Sequence, residues 1–126
     1  MAQQIWPYVL YEDGEGAIEF LSRAFGFREV DRSIGGAGGL HAELEAAGGG
    51  RVYVGQPPAG YENPANVGRT SLVFVLLEGV DAHYERARGE GAEIIEELHD
   101  DPSGHRRYGC RHPQGHEWFF AELLSA

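Results

Sequence analysis

Apolar residues recur along this chain either in short runs typical of strands or at the i, i+3, i+4 spacing typical of helices. Strand-like and helix-like stretches follow one another along the chain. The first apolar run, "IWPYVLY", is rich in aromatic side chains and predicts a strand. In the next segment Ile18, Leu21 and Phe25 recur at helical spacing, which predicts a helix that begins near Asp13. Three short strand patterns follow and are separated by glycine-rich stretches: "FREVDRS", "HAELEA" and "RVYVG".

The second half of the chain repeats this order of elements. "TSLVFVLLE" predicts a strand, "VDAHYERARGEG" predicts a helix, and three further strands are predicted by "AEIIEEL", "RRYGCRH" and "HEWFFAEL". Phe20 matches Tyr84 and Gly26 matches Gly91, so the repeat is offset by about half the chain. The sequence therefore predicts the unit βαβββ twice.

A segment rich in proline, glycine and asparagine, "GQPPAGYENPANVGR", separates the two repeats. It predicts a connection without regular structure. The predicted organisation is one domain of two repeats, with module one at residues 1–55, the connection at 56–69 and module two at 70–126. The fold class is α+β. A helix covers only one face of each sheet, so we expect the second module to cover the other face and to leave a cleft between the sheets.

Composition and charge narrow the range of partners. The chain has 126 residues and a net charge of −10, and all ten of its basic residues are arginine. Such a surface repels nucleic-acid phosphates and anionic membranes, so neither is expected as a partner. No run approaches the roughly 20 apolar residues of a membrane span, and the first residues lack the basic start of a signal peptide. Cys110 is the only cysteine, which fits a cytoplasmic location.

Three stretches carry a family resemblance: "AIEFLSRAFGF", "VDAHYERARGEGAE" and the terminal "HPQGHEWFF". Together they resemble the vicinal oxygen chelate superfamily, which includes glyoxalase I, bleomycin-resistance proteins and extradiol dioxygenases. The last stretch is similar to the family's Asp-Pro-x-Gly hairpin, with His112 in place of the aspartate. "PYVLYEDGEGAIEF" and "HAEL" resemble a branch of small bacterial members. The resemblance implies two βαβββ modules that form a cupped eight-stranded mixed sheet with helices outside, and usually a homodimer.

The resemblance also implies where enzymes of the family hold a metal ion. Matched by motif, their four ligand positions fall on Trp6, Val54, Leu72 and Phe119. None of these side chains can bind a divalent ion, so we expect no family-type metal and no cofactor. The same replacements would make the cup largely apolar, and strand alternation adds further side chains to it, among them Tyr8, Leu10, Phe74, Leu76 and Glu117.

The terminal hairpin holds two histidines and could be taken for a metal site. The turn "HPQG" separates His112 from His116, so the two do not form an i,i+4 helical pair. If the hairpin pairs Arg111 with His116, Tyr108 lies opposite Phe119 and also faces the cup. His116 then has the environment of a hydrogen-bonded histidine at the end of a turn.

The strand "HAELEA" can supply polar groups to the cup. Ala42 and Leu44 share one face, and His41 and Glu43 share the other. If the alanine and leucine face packs under the helix, His41 and Glu43 point into the cup. They could then orient a ligand, or act as a general base and its partner. The alternative is a solvated edge or a structural histidine.

These features favour a homodimeric, metal-independent protein that captures a small aromatic or cationic molecule, with His41 and Glu43 as the candidates for any catalytic role. The alternative is a lyase, isomerase or dioxygenase-like enzyme with an atypical ion held by His41, Glu43 and either Glu117 or His116. In a further alternative the aromatic side chains only close a core. The predicted ligand-binding residues are Trp6, Tyr8, His41, Glu43, Val54, Leu72, Phe74, Tyr108, Glu117 and Phe119.

Overall fold

The computed structural model describes residues 4–34, 39–57, 62–68 and 71–124. The chain divides into two compact units, Met1–Tyr61 and Glu62–Ala126. Each unit contains a four-stranded mixed sheet and one helix of about three turns. The α+β fold class with two βαβββ modules is thereby confirmed.

The first unit follows the predicted order of elements. Its sheet has the strand order β1-β4-β3-β2, in which β1 is parallel to β4 and the other neighbours are antiparallel. The elements are β1 (Tyr8–Leu10), α1 (Gly14–Phe25), β2 (Arg28–Ile34), β3 (Leu40–Glu45) and β4 (Arg51–Gly55).

Both ends of α1 are closed as the sequence predicts. The Asp13 side chain accepts a hydrogen bond from the backbone N–H of Gly16. At the other end Gly26 has φ 76°, a left-handed conformation that glycine adopts without steric cost. Between these ends Leu21 is fully buried, and so are Ala42 and Leu44 on the strand beneath. The predicted apolar face of β3 therefore belongs to the core under the helix.

The second unit repeats the topology, with the strand order β5-β8-β7-β6 and β5 parallel to β8. Its two helices differ in length, and only the longer one packs on the sheet in the manner of α1. The elements are α2 (Pro64–Val67), β5 (Val73–Leu76), α3 (Val80–Gly89), β6 (Glu93–Asp101), β7 (His105–Arg111) and β8 (Glu117–Leu123).

The helix α2 corrects the prediction that the connection has no regular structure. The side chain of Asn63 accepts a hydrogen bond from the N–H of Ala65 at 2.9 Å, which caps the helix. Pro64 lies in the first turn, where its missing N–H leaves no hydrogen bond unmade. The pair Asn63–Pro64 therefore begins a helix here, although the same pair can also interrupt regular structure.

The register of the β7–β8 hairpin also differs from the prediction. Arg111 pairs with Glu117 rather than with His116, so Tyr108 lies opposite Phe120 and not opposite Phe119. The turn is closed by the N–H of His112, which donates to the carbonyl of His116 at 2.7 Å. A shift of one residue moves a side chain to the other face of its sheet.

Among the described residues, no helix is long and apolar enough to cross a membrane.

Candidate functional site

Each sheet has one face packed under its long helix, α1 or α3, and an opposite face on which that helix does not pack. We call this opposite face the helix-free face. In the first unit Val9, Ala42 and Val54 are buried on the helix side. Tyr8, His41 and Tyr53 alternate with them and therefore lie on the helix-free face.

Four rings form a continuous group on the helix-free face of the first unit, which we call the aromatic cluster. Its members are Trp6, Tyr8, His41 and Tyr53. The Tyr53 ring lies at the centre, with its centroid 5.2 Å from that of Trp6, 5.6 Å from that of Tyr8 and 4.9 Å from that of His41. These separations are typical of favourable ring contacts. Tyr8 is 53% exposed, so the cluster presents an aromatic surface to solvent.

A hydrogen bond fixes the orientation of His41. Its Nδ1 lies 2.8 Å from the hydroxyl of Tyr8. Glu43, on the same face, forms an ion pair with Arg51. The structure therefore gives His41 a tyrosine as its partner, where the sequence suggested Glu43.

The Tyr8 side chain lies directly over the backbone of Gly55. A Cβ built on Gly55 would come within 2.5 Å of the Tyr8 hydroxyl oxygen. Only glycine leaves room for this contact, which holds Tyr8 beside His41. The guanidinium of Arg51 lies 5.9 Å from the ring centroid of Trp6 and adds a cationic neighbour to the cluster.

The placement of Val54 in the cup is wrong. Val54 is 1% exposed and pairs with Val9 and Ala42, so it belongs to the core under α1. Its neighbour Tyr53 takes the position on the helix-free face. Every residue from 52 to 54 is apolar or aromatic, so alternation alone did not distinguish the two faces.

The helix-free face of the second unit is also rich in apolar side chains. Leu72 and Phe74 are 41% and 43% exposed. Phe74 pairs with Phe119 on the neighbouring strand. The Phe119 ring is buried between the Gly109 backbone and the guanidinium of Arg107, which lies 5.9 Å from its centroid. Phe119 therefore contributes to the packing of this face more than to its exposed surface.

Tyr108 is not part of this face, which corrects its prediction as a cup residue. It is fully buried on the helix side, where its hydroxyl lies 2.6 Å from Nδ1 of His83. Its ring packs 5.0 Å from the ring of Tyr84, measured between centroids. Burial raises the pKa of the Tyr108 phenol far above its ordinary value.

The charged residues at the turn end of β8 are paired. Glu117 is only 7% exposed, and an Nη of Arg111 lies 3.3 Å from its carboxylate. The same guanidinium bonds Glu93 at 2.8 Å. The hydrogen bond to Glu117, followed by the field of Glu93, holds the pKa of Arg111 above its ordinary value.

The potential metal ligands named from the sequence are divided between the units. His41 and Glu43 belong to the first unit, and His116 and Glu117 belong to the second. Over the described ranges, no three His, Cys, Asp or Glu side chains converge in a group that could hold a metal ion.

Comparison with known proteins relates the chain to one superfamily. A family model for the glyoxalase/bleomycin resistance protein/dioxygenase superfamily matches residues 7–120. An uncharacterised protein of Mycobacterium bovis is 30% identical over 118 residues, which cover 89% of this chain and 78% of that protein. An uncharacterised protein of Mycobacterium tuberculosis is also 30% identical over 118 residues, which cover 89% of this chain and 69% of that protein.

Solved structures agree with this relationship. TioX from Micromonospora sp. ML1 is 33% identical with a TM-score of 0.74, and the match covers 98% of this chain and all of TioX. TnmS3 from Streptomyces sp. CB03234, an antibiotic binding protein, has a TM-score of 0.75 over 98% of each chain. At 18% identity the likeness to TnmS3 shows a shared fold.

Proposed function

We propose that this chain, which belongs to the glyoxalase/bleomycin resistance protein/dioxygenase superfamily, binds a small planar aromatic or cationic molecule on its aromatic cluster. The observation that carries the proposal is the contact of Trp6, Tyr8 and His41 with a central Tyr53 on a face that no helix of the first unit covers. A ring cluster that served only to fill a core would be buried, whereas Tyr8 is 53% exposed.

The physical basis of binding is ring stacking supplemented by cation–π contact. An offset or tilted aromatic pair contributes about 0.5–1.5 kcal/mol beyond the area it buries. A cation over a tyrosine or tryptophan face contributes about 0.5–2 kcal/mol, depending on how well it is desolvated. His41 and the Glu43–Arg51 pair would supply the few directed polar contacts that such sites use to orient a ligand.

The comparisons support a binding role of this kind. TnmS3, which shares the fold, is an antibiotic binding protein. We also propose that binding needs no divalent ion, because Trp6, Leu72 and Phe119 occupy three of the positions at which the resemblance implies metal ligands. The proposed assembly is a homodimer, which light scattering after gel filtration would measure.

The test is a thermal-shift screen with planar probes of different charge. Proflavine serves as a planar cation, 2-naphthol as a neutral ring and 2-naphthalenesulfonate as an anion. A ligand that binds only the folded state raises Tm, and we expect this from proflavine and 2-naphthol. In Tyr8→Leu and Tyr53→Leu, the loss of a stacking partner should weaken binding by about fivefold each.

The matched control is Ile34→Ala, which truncates an exposed apolar side chain elsewhere in the same unit. This variant should keep the affinity of the unaltered protein. A Tm that responds to zinc or manganese and to none of the three planar probes would overturn the proposal and favour the metal-dependent enzyme.

A further inference from the structure

A concave region lies within the second unit, between α2 and the β7–β8 turn. It is a cleft of about 650 Å³, within the range of volumes that hold small molecules. Its walls include the small or apolar residues Pro64, Ala65 and Pro113, and its charged groups are Glu93, Arg111 and Glu117.

Close contact between α2 and the turn builds one wall of the cleft. A Cβ built on Gly115 would lie 2.5 Å from the backbone nitrogen of Ala65. Gly115 also has φ 105°, a conformation that other residues rarely adopt. The helix therefore rests on the turn at a point where only glycine fits, and the wall has a defined position.

The charges in the cleft are unequal. Glu93 and Glu117 both form ion pairs with the guanidinium of Arg111, so the three side chains together carry a net charge of −1. Glu117 is only 7% exposed, and a charge that is little exposed is screened less by water and salt, so its field acts more strongly on a cation in the cleft. His112, also buried in the lining, accepts a hydrogen bond from the N–H of Gln114 at Nδ1, which fixes its ring.

We infer that this cleft binds the ammonium group of a small amine with an apolar body. The ammonium donates to the carboxylates of Glu117 and Glu93, and the apolar body lies against Pro64, Ala65 and Pro113. An anionic ligand is disfavoured because Arg111, the one cationic side chain among the described residues that line the cleft, is already bonded to both carboxylates. The inference does not rest on the proposed function, since every residue of the aromatic cluster belongs to the first unit.

The test is an NMR titration of the ¹⁵N-labelled protein with three probes of nearly equal shape: benzylamine, benzyl alcohol and benzoate. We expect benzylamine to shift the amide signals of residues 65–68, 112 and 114–117 and the two other probes to leave them unchanged. Glu117→Gln keeps the side-chain shape and removes the charge. It should weaken benzylamine binding about tenfold, as expected for a lost charge-assisted hydrogen bond.

Glu93→Gln provides a second variant if Glu117→Gln does not fold, because Glu93 is 63% exposed. It should weaken binding about threefold, since a partly exposed charge contributes less. Glu78→Gln, which changes an exposed carboxylate outside the cleft, is the matched control and should leave benzylamine affinity unchanged.

Equal binding of benzoate, or unchanged benzylamine affinity in the folded cleft variants, would overturn the inference. Benzylamine shifts confined to Trp6, Tyr8 and Tyr53 would overturn it while supporting the proposed function.

Discussion

The ring of Phe119 lies directly against the backbone of Gly109. A Cβ built on Gly109 would come within 2.5 Å of a ring carbon of Phe119. The two residues are paired across β7 and β8, so the contact is part of the sheet itself. Gly109 is thus required by its neighbour rather than by an unusual backbone conformation.

We predict that Gly109→Ala destabilises the protein, because the new methyl group displaces the Phe119 ring or the strand beneath it. Overpacking of this kind costs about 1–3 kcal/mol of unfolding free energy, measurable by urea denaturation. Gly89→Ala is the control, since a Cβ on Gly89 meets nothing within 4 Å. It should be neutral or raise stability by up to about 1 kcal/mol, as alanine favours the helix. Equal stabilities of the two variants would contradict the packing argument.

A carboxylate from β8 caps the start of α3. The N-cap residue Gly79 has no capping side chain. Instead, Glu122 Oε1 accepts hydrogen bonds from the backbone N–H groups of Gly79 and Val80, at 3.1 and 3.0 Å. A negative charge at this end also interacts favourably with the helix dipole.

Glu122→Ala should therefore lower the unfolding free energy by about 1 kcal/mol, the usual effect of losing an N-cap acceptor. Thermal and urea unfolding followed by circular dichroism would measure it. Glu78→Ala, one residue before Gly79 and exposed, is the control and should have little effect. A loss of the same size in both variants would show that only surface charge matters.

The last residue of β6, Asp101, is a carboxylate that is favoured in its ionised form. Hydrogen bonds from the Ser103 hydroxyl and then from the Ser103 backbone N–H lower the pKa of Asp101 from 3.8 to about 2. A depressed pKa stabilises the folded state at pH values above the unfolded pKa. That stabilisation is lost as pH falls through the folded value.

Ser103→Ala should accordingly be less stable than the unaltered protein at pH 7, with an undiminished difference down to about pH 4. Between about pH 4 and pH 2 the difference should shrink, because Asp101 becomes protonated in both proteins. Urea denaturation at a series of pH values gives this comparison. A difference that is independent of pH across the window would assign the effect to the turn geometry alone.

The single cysteine should react slowly in the native protein. Cys110 is fully buried, and burial raises the pKa of its thiol to about 12. The reactive thiolate is therefore scarce at pH 8. We expect mass spectrometry to detect little iodoacetamide adduct on the native protein and complete labelling in urea. Equal labelling rates would place the thiol in contact with solvent.

Much of the secondary structure is predictable from the sequence, because each prediction depends on residues close together in the chain. The spacing of Ile18, Leu21 and Phe25, with Asp13 and Gly26 at the ends, corresponds to α1. The small and large apolar residues of β3 are separated by polar ones, so its two faces were distinguished correctly. At its far end β6 continues past the predicted run to Asp101, because pairing with β7 extends it.

The candidate site was harder to predict, because membership of a face depends on pairing between strands that are distant in sequence. Val54 lies on the face opposite to the predicted one, and its pairing with Val9 is what decides this. Tyr108 moved to the core because Arg111 pairs with Glu117. No local pattern pointed to Tyr53 as the centre of the ring cluster or to Tyr8 as the partner of His41.

The sequence by itself determined the repeated order of helices and strands and the caps of α1, since local periodicity and composition carry this information. Only the tertiary structure decided which rings meet, how Glu122 reaches the start of α3 and how α2 closes the cleft beside Gly115. The physical reason is that side chains alternate along a strand. Interstrand register therefore selects the exposed set, and register is set by contacts between residues far apart in the chain.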